Sequence, residues 1–433
     1  MNFGNPALQT KRPLTIKTAR PLRFKQLFAI ILLLIITTTA THTQAAKIIF
    51  RSNFSSGVTL SAPYSFYPRG AWQQFTGIDK DTGYSWPIRA LGANFSGLQL
   101  ITANPIEPST IGSYISNSIR TVAGPFGTIN ELYQIVKMNG EIGEGGSQSP
   151  FVIIRPSTVG DVKNLYISYW FKYPTDLASK LDSSVSSGNW RTQFEFKTGG
   201  YDGSNGSGDY RIITNIFKDT DGGLYWLTKG DTVANGPLPR ITYWYEENRV
   251  VPVPLGTWFK FEVYWNRSSG SDGRFWAAVN GQEIVDYRGP TMGIDSLPIT
   301  RIMPHNTYSG GYAPVESSLT GFEIWDGFPC GDGVSCYNFD KAAPTTPASL
   351  TGKLAKYSSF ASVTLAWLPS TDNVAVSNYI IYRNGTRVGV SITPNFIDTI
   401  SGSPKGAIYS YTVRALDAAG NFSPASSAIP IVY

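Results

Sequence analysis

The sequence is short of charge, sulfur and imidazole. Of its 433 residues 15% are charged, two are cysteine, four are methionine and two are histidine. Two cysteines cannot build a disulfide-dense scaffold. No His-Glu-x-x-His run is present to hold a catalytic zinc, and there is no nucleophile elbow and no phosphate-binding glycine loop. Collagen and coiled-coil periods are missing, and no helical period persists beyond a turn or two. The longest apolar run, Leu27 to Ile36, is half of the about 20 residues that a membrane-spanning helix needs.

What the chain has in quantity is apolar and aromatic surface. Hydrophobic residues make up 42%, with 11 Trp, 24 Tyr, 23 Phe and 43 Gly. That is ample area to bury, so most of the chain should fold, and the mixture fits an exported all-β protein. The net charge of +6 is misleading. Lys11, Arg12, Lys17, Arg20, Arg23 and Lys25 lie in the first 45 residues, which carry no Asp or Glu; taking those six from the 36 basic residues leaves 30 against 30 acidic ones. The basic character therefore belongs to the leader and argues against a nucleic-acid partner.

The leader reads as a secretory signal. A basic stretch precedes Leu27 to Ile36, and the small-residue pattern Thr43-x-Ala45 follows, the order of an n-region, an apolar h-region and a cleavage site. Cleavage after Ala45 and retention as an N-terminal anchor are the two readings, and both export the rest. The expected location is secreted, cell-surface or periplasmic, with no membrane contact after cleavage. Cys330 and Cys336, in Pro-Cys-Gly-Asp-Gly-Val-Ser-Cys, should then form a local disulfide. A zinc site is the weaker alternative, because two thiolates without nearby histidine do not complete one.

Residues 341–347, with Pro, Ala and Thr and no periodicity, read as a stiff linker between a large region, 46–340, and a C-terminal module, 348–433. The module carries period-two strands at Val363–Trp367, Asn378–Arg383 and Tyr409–Leu416, with the hairpin signal Asn384-Gly385. With Trp367, Tyr379, Tyr382 and Tyr411 in Tyr-x-Val-x-Ala, it resembles a fibronectin type III domain, an immunoglobulin-like β-sandwich. The resemblance implies that the Tyr411 hydroxyl bonds to backbone as a tyrosine corner. It also implies a role as spacer or weak adhesion module.

The large region is strand-rich throughout, with short segments predicted at 165–173, 190–198, 210–218, 223–229, 240–246, 257–266, 274–279, 299–304 and 319–325. Residues 127–137 and 174–182 are predicted as short helices. Many short antiparallel strands in one region suggest a two-sheet jelly roll. Strand alternation places Arg191, Gln193, Glu195 and Lys197 on one face and Trp190, Thr192, Phe194 and Phe196 on the other. It likewise groups Trp258, Lys260, Glu262, Tyr264 and Asn266, and groups Arg240, Thr242, Trp244 and Glu246. Faces that mix charge, amide and aromatic rings suit sugars, whose flat faces stack on Trp and Tyr; an ordinary solvated sheet face is the alternative.

The segments Leu165–Phe171, Trp190–Lys197, Gly256–Trp265, Asp272-Gly to Val-Asn-Gly281, Thr307–Tyr312 and Leu319–Trp325 together resemble the concanavalin A-like jelly-roll polysaccharide lyases, near the heparin lyase I-like and alginate lyase groups. The likeness leaves residues 47–150 unplaced. It implies β-elimination from a uronate polysaccharide: the sugar carboxylate is neutralised, a base takes the C5 proton and an acid protonates O4. Expected catalytic residues are His305, Tyr308, Arg191, Gln193 and Lys197. Expected substrate contacts are Glu195, Trp244, Trp258, Lys260 and Tyr264. A structural loop role is the alternative for His305, and the family's Tyr-Phe-Lys-x-Gly-x-Tyr strand is not evident. A non-catalytic glycan-binding protein on the same fold is the second reading. Retaining-glycosidase chemistry lacks its paired carboxylates, since Phe194-Glu-Phe-Lys197 supplies one, and Glu141 and Glu144 read as a solvated loop. No cofactor is expected. Asp202, Asp209, Asp219 and Asp221 could bind structural calcium, although acidic turns without metal are commoner. A monomer acting on polysaccharide is expected.

Overall fold

The computed structural model describes residues 46–65, 71–101, 109–124, 127–137, 148–156, 158–184, 188–198, 210–232, 242–292, 298–305, 311–337, 342–372, 376–401, 406–417 and 421–433. The described chain is nearly all strand, in antiparallel sheets consistent with an all-β jelly roll. In the large region two sheets face each other. The first runs Gln282–Arg288, Arg274–Val279, Phe259–Asn266, Asn164–Lys172, Val315–Trp325, Gly127–Val136, Ile115–Gly124, and Ile48–Ser52 also pairs with Val315–Trp325. The second runs Thr242–Asn248, Leu224–Asp231, Arg211–Lys218, Trp190–Thr198, Ile299–His305, Phe151–Ile154, Phe95–Leu100, Ala71–Ile78, Val58–Leu60.

Period-two alternation builds the core. Leu165, Ile167, Tyr169 and Phe171 point inward from one strand and Phe259, Phe261, Val263 and Trp265 from its neighbour. They meet Phe194, Phe196, Ile212, Ile216 and Trp226 of the second sheet. The aromatic contacts cross the interface: Phe196 lies 4.5 Å from Trp265, Phe151 5.4 Å from Phe322 and Phe194 6.3 Å from Phe261, centroid to centroid. Truncating one such ring to alanine typically costs about 3–5 kcal/mol.

Two sequence expectations change here. Residues 127–137 are not helical: Gly127–Val136 is a ten-residue strand paired along its length with Ile115–Gly124. Leu132, Gln134 and Val136 are buried at every second position, a period that a helix cannot satisfy. The segment 174–182 holds only one helical turn, Leu177–Lys180. The previously unplaced residues 47–150 complete both sheets, because Ile48–Ser52 joins the first while Val58–Leu60, Ala71–Ile78 and Phe95–Leu100 extend the second.

Cys330 and Cys336 are bonded, and their loop packs on the outer face of the first sheet. Phe328 sits against Tyr264 at 4.1 Å and Trp276 at 5.2 Å. The backbone amide of Cys336 and the Tyr166 hydroxyl donate to the buried Glu262 carboxylate at 2.7 and 2.5 Å, and Arg274 pairs with Asp332. These donors meet the hydrogen-bonding demand of a charge that would be costly to bury alone.

The C-terminal residues form two further sheets. Ala348–Lys356, Phe360–Leu368 and Asn395–Ser401 make one; Thr386–Ser391, Val376–Arg383, Ile408–Asp417 and Ile429–Val432 make the other. Their core, with Val363, Leu365, Trp367, Ile381, Tyr411 and Val413, is separate from that of the large region. The Tyr411 hydroxyl donates to the Asp398 carboxylate at 2.7 Å rather than to backbone, and Arg383 also bonds that carboxylate, at 2.6 Å. Arg387 reaches Asp81 at 2.5 Å across to the large region. Because this core closes on itself, residues 345–433 expressed alone are expected to unfold in one cooperative transition in urea. A gradual, non-cooperative melt would show that the segment depends on the large region.

Candidate functional site

The strand Trp190–Thr198 decides where the polar residues go. Simple alternation would place Arg191, Gln193, Glu195 and Lys197 on one face. Against Arg211–Lys218, however, Thr192 pairs with Asn215 and Phe194 with Thr214, so Gln193 is an extra residue in a bulge. A bulge shifts the alternation by one position. Arg191 and Gln193 turn into the sandwich, whereas Glu195 and Lys197 stay on the outer face.

Inside, the Tyr173 hydroxyl donates to Gln193 Oε1 at 2.6 Å, and Gln193 Nε2 donates to the Tyr169 hydroxyl at 3.2 Å. The Arg191 guanidinium lies 5.1 Å from the Tyr173 ring centre and donates to the Glu316 carbonyl at 3.2 Å. Burial lowers the Arg191 pKa to about 10, against the opposing pull of Tyr173 and Glu316. His305 is fully buried. Its Nε2 is 2.5 Å from Ser317 Oγ, and its ring packs on Phe171 at 4.5 Å. Burial first, then the Arg191 charge, hold His305 well below the ordinary imidazole pKa, so the ring is neutral. Arg191, Gln193 and His305 thus come together, but between the sheets rather than on a surface that a sugar could reach.

The outer face of the same strands carries a different constellation. Cross-strand register lines up Thr242, Asp231, Arg211, Lys197 and Arg301 in one row, and Tyr245, Lys229, Ile213, Glu195 and Met303 in the next. Arg211 forks onto both Asp231 carboxylate oxygens at 2.7 Å and reaches Glu195 at 3.3 Å. Lys197 Nζ lies 3.3 Å from Glu195, and Lys229 Nζ 3.1 Å from Asp231. Three cations are therefore braced by two carboxylates, and Arg301 stands beside Lys197. The carboxylates are almost fully buried, at 2% exposure for Glu195 and 0% for Asp231. The ammonium-bearing side chains of Lys197 and Lys229 stay partly open. Tyr245 at 62% exposure and Tyr243 at 46% stand at the outer edge. Further along, Phe217 stacks on Tyr225 at 5.8 Å. Burial would raise the Asp231 pKa, but the Arg211 hydrogen bonds and the charges of Arg211 and Lys229 hold it below the ordinary carboxylate value.

Sequence reasoning did not single out Arg211, Lys229, Asp231 or Arg301. The spacing Leu227-x-Lys229-x-Asp231 carries the face alternation, but the predicted strand stopped at 229, two residues short. Arg211 and Arg301 are ordinary cations until register sets them beside Lys197.

The other expected contacts lie elsewhere. Trp244 is buried, stacked on Tyr287 at 4.1 Å with its Nε1 donating to the Tyr210 hydroxyl at 2.8 Å. Gly230 faces it across the register, where a Cβ would collide with the Trp244 indole. Lys260 and Tyr264 sit on the outer face of the first sheet, Tyr264 beneath Phe328. Trp258 lies just before that strand, with the Lys172 amine 5.2 Å from its ring centre. Tyr308, Arg240, Glu141, Glu144, Asp202 and Asp209 lie outside the described residues. Asp219 pairs with Arg249, and among the described residues no three His, Cys, Asp or Glu side chains converge as a metal site would need.

No family model matches the chain. Curated relatives match in part. Exoglucanase A of Cellulomonas fimi is 47% identical over 89 residues, 21% of this chain and 10% of that protein. Chitinase A1 of Niallia circulans is 46% identical over 94 residues, 21% of this chain and 12% of that protein. Chitinase C of Streptomyces lividans is 37% identical over 200 residues, 46% of this chain and 28% of that protein. The chain thus spans no more than 28% of the length of these relatives. Similar solved structures include the endo-β-1,4-glucuronan lyase of Trichoderma reesei, with TM-score 0.34 and 10% identity over 49% of this chain and 89% of that one. The alginate lyase of Aplysia kurodai has TM-score 0.31 and 13% identity over 50% of this chain and 93% of that one.

The buried Asp231 makes a pH-dependent contribution. Its folded-state pKa is depressed, so its stabilisation is full above the unfolded carboxylate value and is lost as pH falls through the folded one. Asp231→Asn is expected to cost about 3–5 kcal/mol near neutrality, because it leaves Arg211 and Lys229 without that partner. The gap to the wild type should close in strong acid. Urea midpoints of both proteins measured across the acid range check this, and a gap that stays constant with pH would refute the ion-pair account.

Proposed function

We propose that the large domain is an exported polysaccharide lyase that cleaves a uronate-containing chain by β-elimination on the outer face of the second sheet. Arg211 and Arg301, which flank Lys197 in one row beside Glu195 and Asp231, carry this reading. A uronate carboxylate needs fixed cations, and cations braced by buried carboxylates are held in place before the substrate arrives. Tyr243 and Tyr245 at the edge supply flat surfaces for sugar rings. The partial matches to an exoglucanase and chitinases support a polysaccharide setting. The C-terminal sandwich is read as a fibronectin type III spacer, and residues 1–45 as the export signal.

In this mechanism Arg211 and Arg301 bind the carboxylate, which stabilises negative charge developing at C5 and its carboxyl group. Lys197 Nζ takes the C5 proton. The electron pair forms the C4–C5 double bond as the C4–O4 bond breaks, and the ammonium returns its proton to O4. Glu195 positions the amine at 3.3 Å. His305 has no part in proton transfer, because it sits between the sheets against Phe171 and Ser317. Arg191 and Gln193 hold the interior together rather than the substrate.

The purified protein is to be screened against alginate, glucuronan, heparin and polygalacturonate by the absorbance of the unsaturated product. Lys197→Met should lower turnover by at least about 10²-fold, the usual contribution of a general base, with binding largely kept. His305→Gln should lower the melting temperature but leave the pH profile of turnover unchanged. A shifted pH profile in His305→Gln would return the base to the histidine. Binding of a uronate polymer with no unsaturated product from any of them would establish the glycan-binding reading instead.

A further inference from the structure

A cleft of about 270 Å³ opens at the end of the first sheet, away from the outer face of the second. It is lined by Arg120, Tyr133, Lys172, Tyr173, Glu316 and the Ser317–Ser318 pair, among others. Cross-strand register explains the grouping, since Lys172 pairs with Ser318 and Ser318 with Tyr133. The Tyr133 hydroxyl donates to Glu316 at 2.7 Å, and the Arg120 guanidinium carbon lies over the Tyr133 ring, 3.4 Å from its centre. Arg120 is itself held by the fully buried Glu131, its Nε donating at 2.9 Å.

The charge arrangement selects the ligand class. Arg120 is neutralised by Glu131, which leaves the Glu316 carboxylate and the Lys172 amine as the charged groups of the lining. A purely anionic ligand would meet Glu316, and a purely cationic one would meet Lys172. A neutral ring rich in hydroxyls satisfies both, donating hydrogen bonds to the carboxylate and the Ser318 oxygen and accepting one from the amine. The cleft is slightly smaller than the roughly 300–1,000 Å³ of drug-sized pockets, which suits one sugar residue. Burial and the Glu316 hydrogen bond push the Tyr133 pKa up to about 12, so its hydroxyl stays protonated and Glu316 stays fixed.

We infer that this cleft is a second carbohydrate site, which holds a single neutral pyranose unit and performs no chemistry. It does not depend on the lyase reading, because none of its residues belongs to the row around Lys197. A neutral-sugar contact on one sheet and a uronate contact on the other would let the protein grip a mixed polymer, or a neighbouring neutral glycan, while it works.

Titration calorimetry of the full chain with methyl glucoside, methyl galactoside, methyl mannoside and sodium glucuronate tests the inference. At least one neutral glycoside should bind saturably, in about the millimolar range, and more tightly than glucuronate. Glu316→Gln and Lys172→Met should each weaken that binding about tenfold or more, as loss of a charge-assisted hydrogen bond does. Lys197→Met should leave it unchanged. Thermal melts of each variant separate lost binding from lost folding, and Tyr133→Phe, which keeps the aromatic wall, gives an intermediate loss. No saturable neutral binding, tighter binding of glucuronate, or binding that responds to Lys197→Met and not to Glu316→Gln would each overturn the site.

Discussion

The bulge at Gln193 is the constraint on which the rest of the large region turns. One extra residue in Trp190–Thr198 divides a polar set that alternation would have kept together. Two members, Arg191 and Gln193, enter the sandwich and must be satisfied there. Two others, Glu195 and Lys197, remain outside and become the middle of the charged row. A strand without the bulge would carry all four on the outer face and would leave Tyr169 and Tyr173 without their buried partner.

The interior that results is unusual for an all-β core, because it buries an arginine, a glutamine, a histidine and two tyrosine hydroxyls beside phenylalanines. The cost of burying the guanidinium is offset by the Tyr173 ring and the Glu316 carbonyl. A neutral His305 avoids a second buried positive charge beside Arg191, which is why burial and that neighbour act in the same direction on its proton. The polar spine joins strands of both sheets, since Gln193 belongs to the second and Tyr169 and Ser317 to the first. Such bonds have direction, so they fix the relative register of the sheets in a way that ring packing alone does not.

The outer faces of the two sheets have opposite fates. That of the first is largely occupied by the disulfide loop, with Phe328 wedged over Tyr264 and the Cys336 amide on Glu262. A face that reads as sugar-binding in the sequence is therefore spent on internal packing. That of the second keeps its cations braced by buried carboxylates, with exposed tyrosines along the edge. The same mixture of charge and aromatic rings serves architecture on one sheet and a candidate site on the other.

Local sequence determined the strands themselves. The alternating runs at 165–173, 190–198, 257–266 and 274–279 were legible because alternation of apolar side chains is a property of residues adjacent in the chain. The all-β class was legible for the same reason, and the local disulfide was legible from the expected export and from two cysteines close together in sequence. Residues 127–137 were not, since Gly-Thr-Ile-Asn-Glu-Leu-Tyr-Gln-Ile-Val fits either period until the hairpin partner Ile115–Gly124 chooses one. Nor was the site. Lys197 and Glu195 could be named from their strand, but Arg211, Asp231, Lys229 and Arg301 come from three other strands, and only register sets them side by side. Trp244 and His305 look like surface groups in sequence. They are buried because Tyr287, Phe171 and Ser317 arrive from distant parts of the chain, and no local pattern records which distant residues will cover a side chain.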